Sequence, residues 1–411
     1  MREISVILPV YLDAKLTEQC INSAMPDIVR LKRAKLLIIN DASPDPDMNS
    51  VIKKAESNWG ERIQVVHNPQ NQGFVKSVNT ALYLSFQDDV VLLNSDVIVP
   101  ARWLERLKNE AYSDPKIATT TPLSNNTTIC TFPKFLQENK AFLNYKIDEI
   151  DVAFLTPCIP NIETPTGIGF CMFIKRDCLN EIGYLNKKEF PRGYGEENDL
   201  CQRSIERGWK NIITPNLYVY HEGRVSFRNE KEGLLKNARE TLKTLHPNYA
   251  SDVKYFIAND PLKKARIFRL LRLLSLSRVP KILHISHGLG GGTQTHIDEV
   301  CDYLNDSSDS FSIILIPNKR GRITIRLGAF NQADEIYLPK ETSLNSLIFL
   351  IEAIGISLIH YHHVINLSDE ILNLSRTLEI PHRLTIHDYY LICGNPKLTD
   401  KNGMYSDNKN E

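Results

Sequence analysis

The feature that most constrains the fold is an alternation of short apolar runs with amphipathic runs through the first hundred residues. The apolar runs, rich in β-branched residues, predict strands at Ile4–Val10, Lys35–Asn40, Ile63–His67 and Asp89–Asn94, and helical spacing occupies Leu16–Met25 and Phe74–Phe86. Strands that alternate with helices form crossover units, and these build a mostly parallel sheet. Ligands bind beyond the carboxyl ends of the strands in such sheets, so the polar residues found there are the first candidates for a site.

A second alternating pattern begins at Lys281, and 411 residues exceed one ordinary domain. We predict an α/β domain over 1–255, a basic amphipathic linker helix over 256–280, and a Rossmann-like α/β domain over 281–411. Residues 260–280 combine leucines with regularly spaced Lys and Arg. A linker helix packed on a neighbouring element is the favoured interpretation, and peripheral contact with a membrane surface is the alternative.

Composition excludes several classes of protein. Lys and Arg total 49, as do Asp and Glu, so the zero net charge argues against bulk electrostatic binding of nucleic acid. The eight cysteines form no CxxC pair, which argues against a zinc ribbon or a thioredoxin-type site, and their scatter suits a reducing compartment. The start of the chain lacks signal-peptide character, and no apolar stretch approaches the ~18 residues of a membrane span. We therefore expect a cytoplasmic protein, with peripheral attachment at the inner face of the membrane as the alternative.

Two aspartates directly follow predicted strands. Asp96 follows DVVLLN, where a carboxylate would point into the crevice and bind a metal; taken alone, a turn or helix cap is an equal alternative. Asp41 follows KLLIIN, where it would accept from a pyrimidine N–H, although an Asx-turn is favoured in isolation.

Two further candidates lie later in the chain. Glu196-Glu197-Asn198-Asp199 begins a predicted helix after the glycine-containing RGYG, where the helix dipole alone favours acidic residues but a carboxylate could also serve as general base. His221 ends a predicted strand at Leu217–His221, where a neutral imidazole would suit a metal, although a single His is more often structural.

Taken together, these segments resemble the inverting family 2 glycosyltransferases of the GT-A fold. The matching segments are ISVILPVY, NDAS, NPQNQGFVKSVNTAL, VLLNSDV, TGIGFCMFIKR, GYGEENDLCQRSIERGW and VYHEGRVSF. The resemblance implies that the donor is bound by Pro9, Val10, Tyr11, Asp41, Gly73, Asn79, Asn94, Ser95, Gly167 and Gly169.

The resemblance also implies the metal ligands and the base. Asp96 and His221 would bind the metal, because Asn94 occupies the first acidic position of the DxD-type motif. Glu197 would be the catalytic base, with Glu196 and Asp199 as lesser candidates, since the usual Glu-Asp pair is Glu-Glu here.

The implied reaction is an in-line displacement at the anomeric carbon with inversion. The donor would be a UDP- or dTDP-sugar, the cofactor Mn²⁺ or Mg²⁺, and the acceptor a hydroxyl of a glycan, lipid-linked molecule or protein. Two alternatives stay open: a catalytically silent scaffold that kept the fold, and a nucleotidyltransferase. PVYLDAKL, which stands where a nucleotidyltransferase would carry a GxGxR-like loop, disfavours the latter.

The second half also carries a resemblance. KILHISHGLGGGTQTHI, IHYHH and LTIHDYYLICGNPKLTD look like the N-terminal half of a family 4 glycosyltransferase of the GT-B fold. The resemblance implies an incomplete module whose acceptor-side candidates are His287, Gly291, Gly292 and His387. Its glycine-rich loop alone is a weak signal.

Overall fold

The computed structural model describes residues 2–139, 145–223, 228–307, 309–317, 323–328, 335–338, 344–397, 399 and 404. The chain divides into two compact units, Met1–Arg266 and Ile267–Glu411. Among the residues just given, no helix is long and apolar enough to cross a lipid bilayer.

The first unit consists of nine strands and the helices that connect them among its described residues. The strands are β1 (Ile4–Val10), β2 (Ala34–Asn40), β3 (Ile63–His67), β4 (Asp89–Leu93), β5 (Val97–Ile98), β6 (Ile117–Ser124), β7 (Ile162–Thr164), β8 (Cys171–Ile174) and β9 (Lys210–His221). The helices are α1 (Ala14–Arg30), α2 (Met48–Trp59), α3 (Phe74–Leu84), α4 (Trp103–Ala111), α5 (Ile147–Leu155), α6 (Arg176–Ile182), α7 (Glu196–Glu206), α8 (Arg228–Leu245) and α9 (Tyr249–Asn259).

The sheet of the first unit has the order β3-β2-β1-β4-β8-β6-β9-β5, with β7 also paired to β9. The strands β1 to β4 are parallel to one another, as crossover units require. The strand β8 is antiparallel to both β4 and β6, and β5 and β7 are antiparallel to β9. The strands β6 and β9 pair in parallel and run in the same direction as β1 to β4. The sheet is therefore mixed, with six of its nine strands in one direction.

Burial of both sheet faces explains the continuous apolar runs. In β2, Leu36 to Ile39 are all fully buried, which is the pattern of a strand covered on two sides. On α3, Val75, Val78, Ala81 and Leu82 form one buried stripe with helical spacing. The stripe packs in one core cluster with apolar residues of β1, β2, β4 and β8. This packing fixes the strand ends that position the site.

The second unit contains a separate sheet with the order β13-β12-β11-β10-β14-β15. Its strands are β10 (Lys281–Ile285), β11 (Phe311–Pro317), β12 (Ile323–Leu327), β13 (Ile336–Leu338), β14 (Leu358–Tyr361) and β15 (His382–Leu384). Its helices are α11 (Gly292–Ser307), α12 (Leu344–Ile354), α13 (Asp369–Leu372), α14 (Leu374–Thr377) and α15 (Tyr390–Cys393). The strands β11, β10, β14 and β15 are mutually parallel, and β12 and β13 extend the sheet as antiparallel strands.

A further helix, α10 (Lys263–Leu276), spans the boundary between the two units. It lies where the sequence predicts a basic linker helix, but two of its arginines face inward. Arg266 is 2% exposed and forms a two-pronged ion pair with Asp260, and Arg269 is fully buried. These two arginines therefore present no charge to a membrane surface.

Candidate active site

The first unit contains a large cleft, with a volume of about 1650 Å³, at the carboxyl ends of β1, β2 and β4. Most of the residues predicted to bind the donor or perform catalysis line it. They are Pro9, Val10, Tyr11, Asp41, Gly73, Asn94, Ser95, Asp96, Gly169, Glu196, Glu197 and His221.

The predicted metal ligands meet because two distant segments pair as strands. Val97 of β5 lies opposite His221 of β9, and the backbone N–H of Glu222 donates to the carbonyl of Asp96 at 3.0 Å. This pairing brings Oδ1 of Asp96 to 3.3 Å from Nε2 of His221. Both side chains are about one-fifth exposed, on the cleft side.

The ring of His221 is held in one orientation. Its Nδ1–H donates to the backbone carbonyl of Asn126 at 2.7 Å, and its ring stacks on Phe170 with 5.3 Å between centroids. Burial lowers the pKa of His221, but the hydrogen bond and charge of Asp96 outweigh this, and the net pKa is raised. With Nδ1 committed to a carbonyl, Nε2 is the atom presented to Asp96 and the cleft.

The paired glutamates lie at the N-terminus of α7. Oε2 of Glu196 accepts from the backbone N–H of Gly195 at 3.0 Å, and Gly195 has a φ of 137°. A Cβ on Gly195 would lie 2.8 Å from the Phe190 ring, so the close packing under Glu196 requires glycine.

The two carboxyl groups share their protonation. Burial raises the pKa of Glu196 well above its usual range, and the charge of Glu197 raises it further. Burial also raises the pKa of Glu197, while backbone N–H groups and a hydrogen bond from Glu196 oppose the increase. The arrangement therefore favours a neutral Glu196 that donates to an ionised Glu197 with elevated basicity.

The buried carboxylate of Asp41 organises a loop. It accepts hydrogen bonds from Nδ2 of Asn68 at 2.7 Å and from the backbone N–H groups of Gln72 and Gly73 at 2.8 and 2.9 Å. A carboxylate has about four acceptor positions, so one position remains for a nucleotide base. Asp41 lies at the cleft, but most of its hydrogen-bonding capacity holds residues 68–73 in place.

Two predicted donor-binding residues lie outside the cleft lining. Asn79 exchanges hydrogen bonds with the backbone of Leu185 at 2.8 and 3.0 Å and so fixes the chain after α6. Gly167 is buried, and a Cβ there would lie 2.7 Å from Sδ of Met172 and 3.0 Å from Oγ1 of Thr121. The structure thus gives Gly167 a packing reason to be glycine in place of the predicted contact with the donor.

Asp199, a lesser candidate for the base, is also outside the cleft lining. Its carboxylate is 1% exposed, accepts from Nε of Arg203 at 2.8 Å, and lies 2.9 Å from Nε2 of His246. A carboxylate enclosed in this way supports α7 and is not placed to accept a proton from a ligand in the cleft.

Sequence reasoning missed the residues that hold His221. The side chain of Asn125 accepts from the backbone N–H of His221 at 2.8 Å and donates to its carbonyl at 3.0 Å. Both Asn125 and Asn126 follow β6, so the rule of polar residues at strand ends would have found them. The sequence IATTTPLS was not recognised as a strand, because its threonines and Pro122 are typical of irregular segments.

The cleft also contains cationic side chains that the sequence analysis did not select. Lys15, Lys54 and Arg192 line it, and Lys54 is ion-paired with Glu18 at 2.6 Å. Cations at the rim of a cleft attract phosphate groups and raise their local concentration.

Comparison with known proteins finds similarity over the first unit. Residues 5–183 match the model of the family Glycosyl transferase family 2. Over this segment the first unit is therefore similar to glycosyltransferases of family 2. The chain is 22% identical over 231 residues to the pre-mycofactocin glycosyltransferases of two Mycobacterium tuberculosis strains, CDC 1551 / Oshkosh and ATCC 25618 / H37Rv. This alignment covers 56% of the chain but 44% of each relative, so the chain spans less than half the length of these curated relatives.

Solved structures with partial similarity include two transferases crystallised with nucleotide ligands. GalNAc-T7 with UDP, GalNAc and Mn²⁺ is 16% identical with a TM-score of 0.48, covering 66% of this chain and 54% of that one. The mannosyltransferase PcManGT from Pyrobaculum calidifontis, in complex with GDP-Man and Mn²⁺, is 16% identical with a TM-score of 0.44, and the match covers 74% of this chain and 80% of that one.

Proposed function

We propose that the first unit transfers a sugar from a UDP- or dTDP-sugar to a hydroxyl of a glycan, lipid-linked or protein acceptor, with inversion at the anomeric carbon. The observation that carries the proposal is the convergence of Asp96, His221 and the Glu196–Glu197 pair on one cleft. These residues are up to 125 positions apart in the sequence, as the numbers of Asp96 and His221 show. The surrounding Lys and Arg side chains suit a diphosphate.

The residues at the cleft fit a divalent cation such as Mn²⁺ or Mg²⁺. A carboxylate oxygen and an imidazole nitrogen lie 3.3 Å apart, and the second nitrogen of the ring is held by a backbone carbonyl, as in many metal-binding histidines. A cation bound by Asp96 and His221 would neutralise the diphosphate and stabilise it as a leaving group.

Glu197 is the proposed base. Its position at the N-terminus of α7 faces the cleft, and burial raises its pKa toward the range in which a carboxylate accepts a proton effectively. The neutral Glu196 beside it donates to Glu197 and keeps its lone pairs oriented. Proton removal from the acceptor hydroxyl by Glu197 would accompany attack on the anomeric carbon.

Turnover assays on the full chain test the proposal. Release of nucleoside diphosphate would be measured with a panel of nucleotide sugars, acceptor hydroxyls and Mn²⁺. We expect Asp96→Ala to lower metal-dependent turnover about 100-fold or more, because cation stabilisation of a leaving group is worth several kcal/mol. We expect Glu197→Gln to lower it by about 10²–10⁴-fold, with nucleotide binding retained.

Matched controls remove carboxylates outside the cleft lining. Asp177 forms a surface ion pair with Arg2, and Glu163 lies 4.0 Å from Lys210, so Asp177→Ala and Glu163→Gln should retain wild-type turnover. Nucleotide binding without turnover in the wild type would favour the scaffold hypothesis. Transfer of a nucleotidyl group in place of a sugar would favour a nucleotidyltransferase.

For the second unit, we propose a GT-B N-terminal-type module. The support is its sheet of parallel strands and the loop at 287–291 that joins β10 to α11. The turnover assays above change residues of the first unit only and therefore do not test an activity of the second unit.

A further inference from the structure

One face of the second sheet gathers a histidine cluster, which consists of His284, His296, His360, His362 and His387. His284 of β10 lies opposite His360 of β14 in the strand register, and His362 follows two residues later on the same side. His296 comes from the first turns of α11, and His387 lies just beyond β15. Segments spread over a hundred residues therefore contribute to one cluster.

The side-chain nitrogens form two overlapping triads. Within His284, His360 and His362 the potential ligand atoms all lie within 4.8 Å of one another, and the same holds for His296, His362 and His387. His362 belongs to both triads and is 1% exposed. The two sets differ in what else their nitrogens contact.

In the first triad, other protein groups occupy the outer nitrogens. Nε2 of His284 lies 3.3 Å from Oγ of Ser312, and Nε2 of His360 lies 2.8 Å from Oγ1 of Thr385. These are ordinary hydrogen-bond distances, so the first triad has an explanation without an ion.

In the second triad, two buried nitrogens lack such partners. Nδ1 of His362 and Nε2 of His387 accept and donate no hydrogen bond within the part of the chain that the structure describes. Leaving a buried polar atom unpaired costs about 1–3 kcal/mol. Such an atom therefore calls for an explanation, and a bound ligand that supplies the missing partner is one.

The neutral form, which metals bind, is favoured for three histidines of the cluster: His284, His362 and His387. Burial, together with the smaller effect of neighbouring imidazoles, lowers the pKa of His362 to about 2 and that of His284 to about 3. Burial also lowers the pKa of His387. A neutral imidazole keeps a lone pair with which it can bind a metal. Protonation of several adjacent rings is unfavourable because their charges repel, whereas the neutral rings can bind one metal ion together.

We propose that His296, His362 and His387 bind a divalent transition-metal ion of the zinc class. Nε2 of His362 lies 2.9 Å from Nδ1 of His284, and a relay in which His362 donates to His284 and His284 to Ser312 leaves Nδ1 of His362 as an acceptor. Three imidazoles leave a fourth position of a tetrahedral ion for water or another ligand. The site lies wholly in the second unit and does not depend on the function proposed for the first.

Cobalt titration of the full chain tests the site. The Asp96→Asn background removes the carboxylate of the two candidate metal ligands of the first unit and so weakens that site, and visible absorption and bound-metal content then report on the second unit. We expect one Co²⁺ per chain with the absorption of a four-coordinate ion. His296→Ala and His387→Ala should each weaken binding at least about tenfold, since even outer-shell partners are worth about 10–100-fold in metal affinity.

The matched control is His382→Ala, because His382 is an exposed histidine of β15 outside both triads. It should bind Co²⁺ as the background does. Equal binding by the background and both ligand variants would overturn the proposal, as would the absence of Co²⁺ binding.

A second measurement needs no substitution in the cluster. Long-range ¹H–¹⁵N spectra of the Asp96→Asn protein should show that saturating Zn²⁺ shifts the nitrogen signals of three histidines. Unchanged imidazole signals would refute the site whatever the stability of the alanine variants.

Discussion

Replacing Asp41 with alanine should destabilise the first unit, because this residue holds a loop as well as facing the cleft. The substitution removes an acceptor of three hydrogen bonds, from Asn68, Gln72 and Gly73. Bonds to a charged group are worth about 1.5–3 kcal/mol each when fully buried. The three donor residues are half-buried, so water replaces part of the loss. We expect the free energy of unfolding to fall by about 2–4 kcal/mol, below the simple sum of three such bonds.

Tryptophan fluorescence during urea denaturation measures the unfolding of the first unit, to which Asp41 belongs. Trp59, Trp103 and Trp209 are the three tryptophans of the chain, and all lie in the first unit. An unchanged m-value with a lower midpoint would identify a change of stability alone. Asp47→Ala is the matched control, since Asp47 is exposed at the start of α2 and its side chain makes no capping hydrogen bond. We expect it to stay within about 0.5 kcal/mol of the wild type.

A loss below about 1 kcal/mol for Asp41→Ala would refute the loop-holding role, since one charge-assisted bond alone exceeds that. Nucleotide binding then separates this role from direct contact with the base. Asn68→Ala removes one donor and leaves the carboxylate in place. If Asp41 acts through the loop, Asn68→Ala weakens UDP or dTDP binding as well. If Asp41 contacts the base alone, Asn68→Ala leaves the affinity unchanged.

Two further substitutions test the electrostatics and packing around the cleft. Glu196→Gln should flatten the pH dependence of stability. The pKa of Glu196 is raised in the folded state, so its contribution to wild-type stability is fully present below the unfolded-state pKa and is lost as pH rises through the folded-state pKa. The side chain of Gln stays neutral at every pH and retains the oxygen that accepts from the N–H of Gly195. Urea denaturation between about pH 5 and 8 measures this. Equal slopes of the free energy of unfolding against pH in the two proteins would contradict the prediction. Gly167→Ala should lower the free energy of unfolding by about 1–3 kcal/mol, because its Cβ would lie 2.7 Å from Sδ of Met172. Gly208→Ala is the control that separates overpacking from backbone strain, since a Cβ there has nothing within 4 Å but φ is 79°. Equal unfolding midpoints of wild type and Gly167→Ala would contradict the packing argument.

The sequence predicts the parallel half of the first sheet well, because buried parallel strands are continuous apolar runs between helices. Ile63–His67 has the predicted bounds, and Lys35–Asn40 lies one residue from the observed start. Periodicity also places both ends of α3 within two residues, and α7 begins at Glu196 as predicted. These elements carry their signal within one segment, so a single sequence suffices.

The other half of the sheet, from β8 to β5, is less predictable because its strands contain breaks. The strand β9 runs from Lys210 to His221, but the sequence predicts only its last five residues. The register with β6 shifts between Pro122 and Leu123, whose partners are Thr214 and Tyr218. The intervening bulge accommodates Pro215, whose ring nitrogen has no hydrogen to donate to a neighbouring strand. A residue that indicates a turn in the sequence therefore lies inside a strand.

Residue roles were predicted less well than residue positions. Asn79, Gly167 and Asp199 are in segments that resemble the family, yet their side chains or packing serve the scaffold. A pattern records that a residue type is required at a position. It does not distinguish a group that contacts a ligand from one that shapes the loop, because both restrict the residue type equally.

The placement of the metal pair shows why the cleft needs both halves of the sheet. Asp96 follows β4 on one side of β8, whereas His221 ends β9 on the other side. The two-residue strand β5, which follows Asp96, pairs with β9 and brings the two residues together. The segment that matches the family ends at residue 183, before Glu197 and His221. The matching segment therefore supplies the strand ends that line the cleft and Asp96, but neither the proposed base nor the second proposed metal ligand. Any change that separates β5 from β9 should separate Asp96 from His221, the proposed metal ligands, while β1 to β4 and their apolar core stay intact, because that core packs without β5 and β9.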